Sequence, residues 1–166
     1  MPGLESYDHD STNPLDRVER LAEAYHWSFD RTTPSEVAMR LEGGWSDLML
    51  NMCWRDDLET LHVAATFDMK APAPRRDELG RLLALINEQL LHGHFDLWLS
   101  DGSIVFRNNL LLTGGAEAND AQCEALIRLA LETCERYFPA MQFVIWAGRC
   151  AREALESSLL ETMGEA

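Results

Sequence analysis

The sequence predicts an α+β fold: a predominantly antiparallel five-stranded sheet with helices on one face, in the order helix, three strands, helix, two strands, helix. Three observations carry this expectation. Residues 95–112, FDLWLSDGSIVFRNNLLL, alternate apolar and polar positions around Asp101-Gly102; Asp-Gly in that setting signals a hairpin, because both central residues of a type I′ turn need positive φ. Residues 36–69 hold three further period-two segments punctuated by turn residues, the pattern of a meander with one covered face. Three stretches repeat apolar residues at intervals of three and four, and runs of strands set between helices favour helices segregated to one face.

The first helix starts at Asn13. Asn13 supplies a side-chain acceptor, Pro14 a preset φ and Asp16 a negative charge at the positive end of the helix dipole. Leu15, Val18, Leu21, Ala22 and Tyr25 then form one stripe through about His26. Residues 27–34 read as a connector or short edge segment. The first strand carries Val37, Met39 and Leu41 and ends at Gly43-Gly44. The second turns Leu48, Leu50, Met52 and Trp54 inward, with Asp47, Met49, Asn51 and Cys53 opposite. A charged turn over 55–59 leads to the third, with Leu61, Val63, Ala65, Phe67 and Met69 on one face.

The linker KAPAP (70–74) enters a second helix striped by Leu79, Leu82, Leu83, Ile86 and Leu90, with Gly93 as its expected C′ residue. In the hairpin that follows, Phe95, Leu97 and Leu99 oppose Ile104, Phe106, Leu110 and Leu112, with Asn108 as the exception. After the loop at Gly114-Gly115, Asn119 and Gln122 form a capping-box pattern, and Cys123, Leu126, Ile127, Ala130, Leu131 and Cys134 share a helix face. Pro139 is expected to kink or interrupt that helix. Gly148 breaks it before a charged final helix over 152–163.

At 166 residues, the chain can bury about two-thirds of its unfolded surface in one core. We therefore expect a tail over 1–12 and a single domain over 13–166. The start of the chain, MPGLESYDHDSTNP, shows no basic or apolar leader, and no apolar run approaches the roughly 20 residues of a transmembrane helix. The expected location is the cytoplasm. A net charge of -14 argues against nucleic-acid and anionic-membrane partners, which attract basic patches. The four cysteines, at 53, 123, 134 and 150, lack paired zinc spacing and are expected to be reduced. On one helix Cys123 and Cys134 would lie roughly 16 Å apart, beyond disulfide reach.

Three segments taken together resemble the YbjN-domain family, described as a "putative bacterial sensory transduction regulator". They are GHFDL (93–97) continuing to DGSIVFRN (101–108), ERYFPAMQ (135–142), and WAG (146–148) leading to EAL (153–155). The resemblance implies a bacterial protein with a type III secretion chaperone-like fold, and it supplies no catalytic motif.

The second sheet face is too apolar to stand comfortably in water, carrying Trp45, Met49, Cys53, Trp98, Val105 and Leu111. We expect it to bind a partner segment or a second copy, with homodimerisation the commonest form. The partner or dimer interface is assigned to Trp45, Met49, Trp98, Val105, Arg107 and Leu111. The competing account is that a chain end or helix covers the face. Arg107-Asn108-Asn109 inside an apolar strand suggests a bulge or edge guard, with Arg107 suited to a partner carboxylate. His92, His94 and Asp96 lack the second cluster a metal needs. Asp56, Asp57 and Glu59 lack a calcium loop's spacing. With no GxSxG, HExxH, Walker or GxGxxG motif, neither an enzyme nor a cofactor is expected. The alternative is a small-molecule-binding protein or enzyme using His62, His94 or Arg107 in a pocket between sheet and helices.

Overall fold

The computed structural model describes residues 13–164. The tail expected over 1–12 lies outside the described residues. Helix α1 (Pro14–Ala24) starts where its signals place it: the Asn13 side chain accepts from the Leu15 amide at 3.0 Å and donates to the Pro34 carbonyl at 2.8 Å. Six strands follow in one antiparallel sheet: β1 (Ser28–Thr33), β2 (Glu36–Leu41), β3 (Leu48–Arg55), β4 (Thr60–Lys70), β5 (His94–Trp98) and β6 (Ser103–Leu111). Helix α2 (Arg76–Asn87) precedes β5, and α3 (Asp120–Ile145) and α4 (Ala151–Gly164) follow β6. The spatial order is β1-β2-β3-β4-β6-β5, so β6 inserts between β4 and the late edge strand β5.

The sheet therefore has six strands, not five. The sixth is the stretch SFDRTT, which pairs with β2 from Ser28↔Arg40 to Arg31↔Val37. An edge strand with one packed face and a single apolar residue, Phe29, carries little alternation to read. All helices lie on the face lined by Leu50, Met52, Leu61, Val63, Ala65 and Phe106. α1 rests on β1–β3, α3 on β4 and β6, α2 on β5, and α4 on α2 and α3.

Three further expectations are corrected. The hairpin turn is a four-residue loop, 99–102, closed by the Gly102 amide donating to the Trp98 carbonyl at 2.7 Å, and Leu99 lies outside the strand. Only Gly102 in that loop has positive φ, +79°. Asp101 instead accepts from the Ser103 amide and hydroxyl at 3.0 and 2.8 Å, and Gly102 abuts Ala71 so closely that a Cβ would sit 2.1 Å from its carbonyl oxygen.

Helix α2 stops at Asn87, short of Leu90 and Gly93. The Asn87 amide turns to the outer edge of β5, donating to the Phe95 carbonyl at 3.0 Å and accepting from its amide at 2.8 Å. Gly93, at φ +72°, faces the Phe106 ring and the Arg107 carbonyl and is not a helix cap.

Helix α3 runs unbroken through Pro139. The missing hydrogen bond costs about 3 kcal/mol in an exposed helix, but residues 137–141 are all buried and Phe138 meets Phe67 edge-on at 5.3 Å. Packing on both sides of the proline outweighs the local penalty.

Candidate functional site

Among the described residues, no helix lies on the sheet's other face. By register its rows run Asp30–Ala38–Asn51–Ala64–Arg107–His94 and Ser28–Arg40–Met49–Thr66–Val105–Asp96. Small residues occupy the centre. Met49, Trp98 and Leu111 are 47%, 50% and 68% exposed on this face. Two residues assigned to it depart from expectation. Val105 is 1% exposed, set between Thr66 and Asp96, and so is sealed within the chain itself. Trp45 is on the helix side: its ring stacks on Phe138 at 6.4 Å, over a recess lined also by Phe67, Leu131 and Cys134. The neighbouring Glu135 carboxylate accepts from the Gly44 amide and holds that loop against α3.

At one end of the open face, polar side chains from three strands converge. Arg107 donates through Nε to His62 Nε2 at 3.1 Å and pairs through Nη1 with Asp96 Oδ2 at 3.3 Å, while His94 Nε2 meets Asp96 Oδ1 at 3.2 Å. The register that places His94 and Ala64 on either side of Arg107 brings β4, β5 and β6 together here. A cavity of about 340 Å³ opens beside them, lined by His62, Gly93, His94, Arg107, Asn108 and Asn109. No bulge occurs at Arg107-Asn108-Asn109, whose pairing with Ala64, Val63 and His62 is continuous; the irregularity falls beyond Val105↔Thr66. The three polar residues sit where β5 ends and β6 runs on without an outer neighbour.

His62, His94 and Arg107 thus meet, but at the end of the bare face and not between sheet and helices. Cys53 lies directly opposite His62, yet burial first, and Glu36 second, push its thiol up. Burial first, and the Arg107 charge second, hold the His62 imidazole below its usual range. With Arg107 donating to Nε2, His62 is a neutral acceptor there, so the pair forms no thiolate–imidazolium nucleophile. Among the described residues no three His, Cys, Asp or Glu side chains are grouped to hold a metal.

The acidic turn is committed elsewhere. Asp57 pairs with Arg55, and the Glu59 carboxylate accepts from the Gly114 and Gly115 amides at 3.2 Å each. That last contact was not legible in the sequence, where Gly114-Gly115 reads as a plain turn. Asp96 was also missed as the anchor of the cluster. Its spacing from His94 on one strand face was readable, but the cross-strand approach of His62 and Arg107 required the register.

No helix of the described residues is long and apolar enough to cross a membrane. Solved structures share the fold, two of them as follows. "Crystal structure of YbjN, a putative transcription regulator from E. coli" aligns with a TM-score of 0.54 at 15% identity, covering 89% of this chain and 93% of that one. A chain of the ExsC-ExsE complex aligns with a TM-score of 0.54 at 16% identity, covering 80% and 93%. At such identities the likeness is one of fold. No protein of curated function matches the chain. The YbjN family, "Putative bacterial sensory transduction regulator", matches residues 14–143, and the chain belongs to that family.

Proposed function

We propose that this chain is a non-catalytic protein-interaction module, chaperone-like or regulatory, which works in the cytoplasm as a homodimer and holds a segment of a partner protein. The observation that carries this reading is the bare sheet face, where Met49, Trp98 and Leu111 stand exposed around a flat centre of Ala38, Asn51 and Ala64. Trp and Met are over-represented in interface cores, and two-fold association is the commonest way to cover such a face. A fold neighbour caught as the ExsC-ExsE complex supports partner binding, and a net charge of -14 disfavours nucleic acid and anionic lipid.

The test is sedimentation equilibrium of the wild type against Met49→Glu and Trp98→Glu. A dimer that the two substitutions convert to a folded monomer is the expected result. A wild type that stays monomeric at every concentration refutes the dimer. The convergence of His62, His94 and Arg107 beside a cavity favours a second reading, a small-ligand site. The His62 imidazole held below its usual range and the Cys53 thiol pushed up favour binding over catalysis in that reading.

A further inference from the structure

Strand β6 is nine residues long and β5 is five, so β5 covers β6 only from Ser103 to Arg107. The uncovered end has a determinable polarity. Both backbone groups of Phe95 are taken by Asn87 on the outside of the sheet, so Phe95↔Phe106 is a non-hydrogen-bonded pair and His94↔Arg107 a hydrogen-bonded one. Alternation then turns the backbone N–H and C=O of Asn109 and Leu111 toward the side β5 leaves empty. The Leu112 amide agrees, pointing the other way to donate to the Glu59 carbonyl at 2.8 Å. Asn109 is exposed, and its amide is capped only by the preceding Asn108 side chain, at 2.9 Å. Leu111 is 68% exposed.

The cavity that holds His62, His94 and Arg107 lies at the inner end of this gap. We propose that the uncovered edge of β6 and this cavity form one site that captures the free C-terminus of an extended partner segment, with the segment adding as a short strand beside Asn109 to Leu111 and its carboxylate held by Arg107, His62 and His94. The inference rests on the interaction-module reading and names the anchor it would use.

Direction and charge select this occupant. A segment antiparallel to β6 runs the same way as β5, so its last residue abuts Gly93 and His94 and brings its carboxylate beside the Arg107 guanidinium and the two imidazoles. Antiparallel pairing is the commoner and slightly more stable arrangement. The gap of three residues is about 10 Å, enough for a tail but short for an internal strand. Asp96 orients the site, holding Nη1 of Arg107 and one nitrogen of His94, so that Nη2, with the Nε that donates to His62 in the absence of a ligand, forms the edge offered to a carboxylate. On ligation the guanidinium turns from the His62 imidazole to the carboxylate, and His62 stays beside it as a neutral hydrogen-bonding group. Arg107, His94 and Cys53 are the groups that face it from the neighbouring strands.

The full chain, isotope-labelled, is titrated by NMR with a random-sequence pentapeptide pool ending in a free carboxylate. The same pool amidated, sodium acetate and inorganic phosphate form separate arms. The expected result is a shift of the Asn109 and Leu111 amides and of Arg107 Nε–H, with the free-acid pool bound about tenfold tighter than the amidated one. Acetate should move only the histidine and arginine signals. Arg107→Gln, checked for an unchanged melting temperature, should abolish the difference between the pools, and Arg107→Lys, which keeps the charge without the fork, should reduce it. Equal binding of the two pools, no binding of either, or shifts that spare Leu111 overturn the proposal. Phosphate as effective as the free-acid pool reduces the site to one for small anions and overturns it too. Sedimentation of the same sample keeps the two readings apart: a dimer that ignores the pools leaves the interaction module standing and removes the anchor. A monomer that binds the free-acid pool keeps the anchor and removes the homodimer.

Discussion

Replacing Asn87 with alanine removes both hydrogen bonds that close the outer edge of β5, at 2.8 and 3.0 Å to the Phe95 backbone. Each such bond is worth about 1 kcal/mol net, and water reaches part of the vacated edge, so the expected loss is about 2 kcal/mol. For a chain of this size that corresponds to roughly 5 °C in Tm. Asn87→Asp should lose at least as much. Its carboxylate still accepts from the Phe95 amide, but it faces the Phe95 carbonyl with an oxygen, and it adds negative charge at a helix C-terminal end. Urea unfolding followed by tryptophan fluorescence measures the stability, and hydrogen exchange reads the Phe95 amide directly. The reasoning fails if both variants stay within about 0.5 kcal/mol of wild type while Phe95 protection is unchanged. An opened β5 edge should also raise the tendency to aggregate, because exposed strand edges pair with other chains.

Gly102→Ala puts a Cβ 2.1 Å from the Ala71 carbonyl at a residue with φ +79°, so it should cost at least about 2 kcal/mol, read as a lowered urea midpoint. Because the folded His62 imidazole lies below its ordinary value of 6.5, the unfolded chain binds the extra proton first. Stability from this group is therefore complete above about pH 6.5 and falls as pH drops from there toward the lower folded value; His62→Gln should flatten that segment of a stability-against-pH curve. Alkylation followed by mass spectrometry should label exposed Cys150 first and half-buried Cys53 more slowly. Cys123 and Cys134, buried and with thiols pushed up by burial, should react only in denaturant.

Much of the architecture was readable because it depends on period. The alternation in β3 and β4 sorts Leu50 and Met52 from Met49 and Asn51 correctly, and the Asn13 and Asn119 caps place two helix starts to the residue. What failed or stayed open depends on contacts distant in sequence. Residues 27–34, read as a connector or short edge segment, form the edge strand SFDRTT because β2 offers it an edge, Pro139 stays helical because its neighbours are buried, and Asn87 ends α2 because Phe95 lies within reach. The candidate site divides the same way. Met49 and Trp98 face outward as parity demands, whereas Trp45 sits in a loop where parity says nothing, and Val105 shares the open face's parity but is covered. The Arg107–His62–Asp96 cluster needed the β4–β6 register, which no local pattern encodes.

The order in which the elements are made sets a hazard of its own. When β1–β4 have left the ribosome, Leu50, Met52, Leu61 and Val63 have only α1 to shelter them, since α3, which roofs β4 and β6, begins at Asp120. The inner border of β4 is likewise vacant until β6 arrives. A nascent chain therefore spends an interval with a sticky, half-built sheet. That surface is shut away from wrong contacts only when the long helix closes over it, so the hazard is greatest while residues 71–119 are being made.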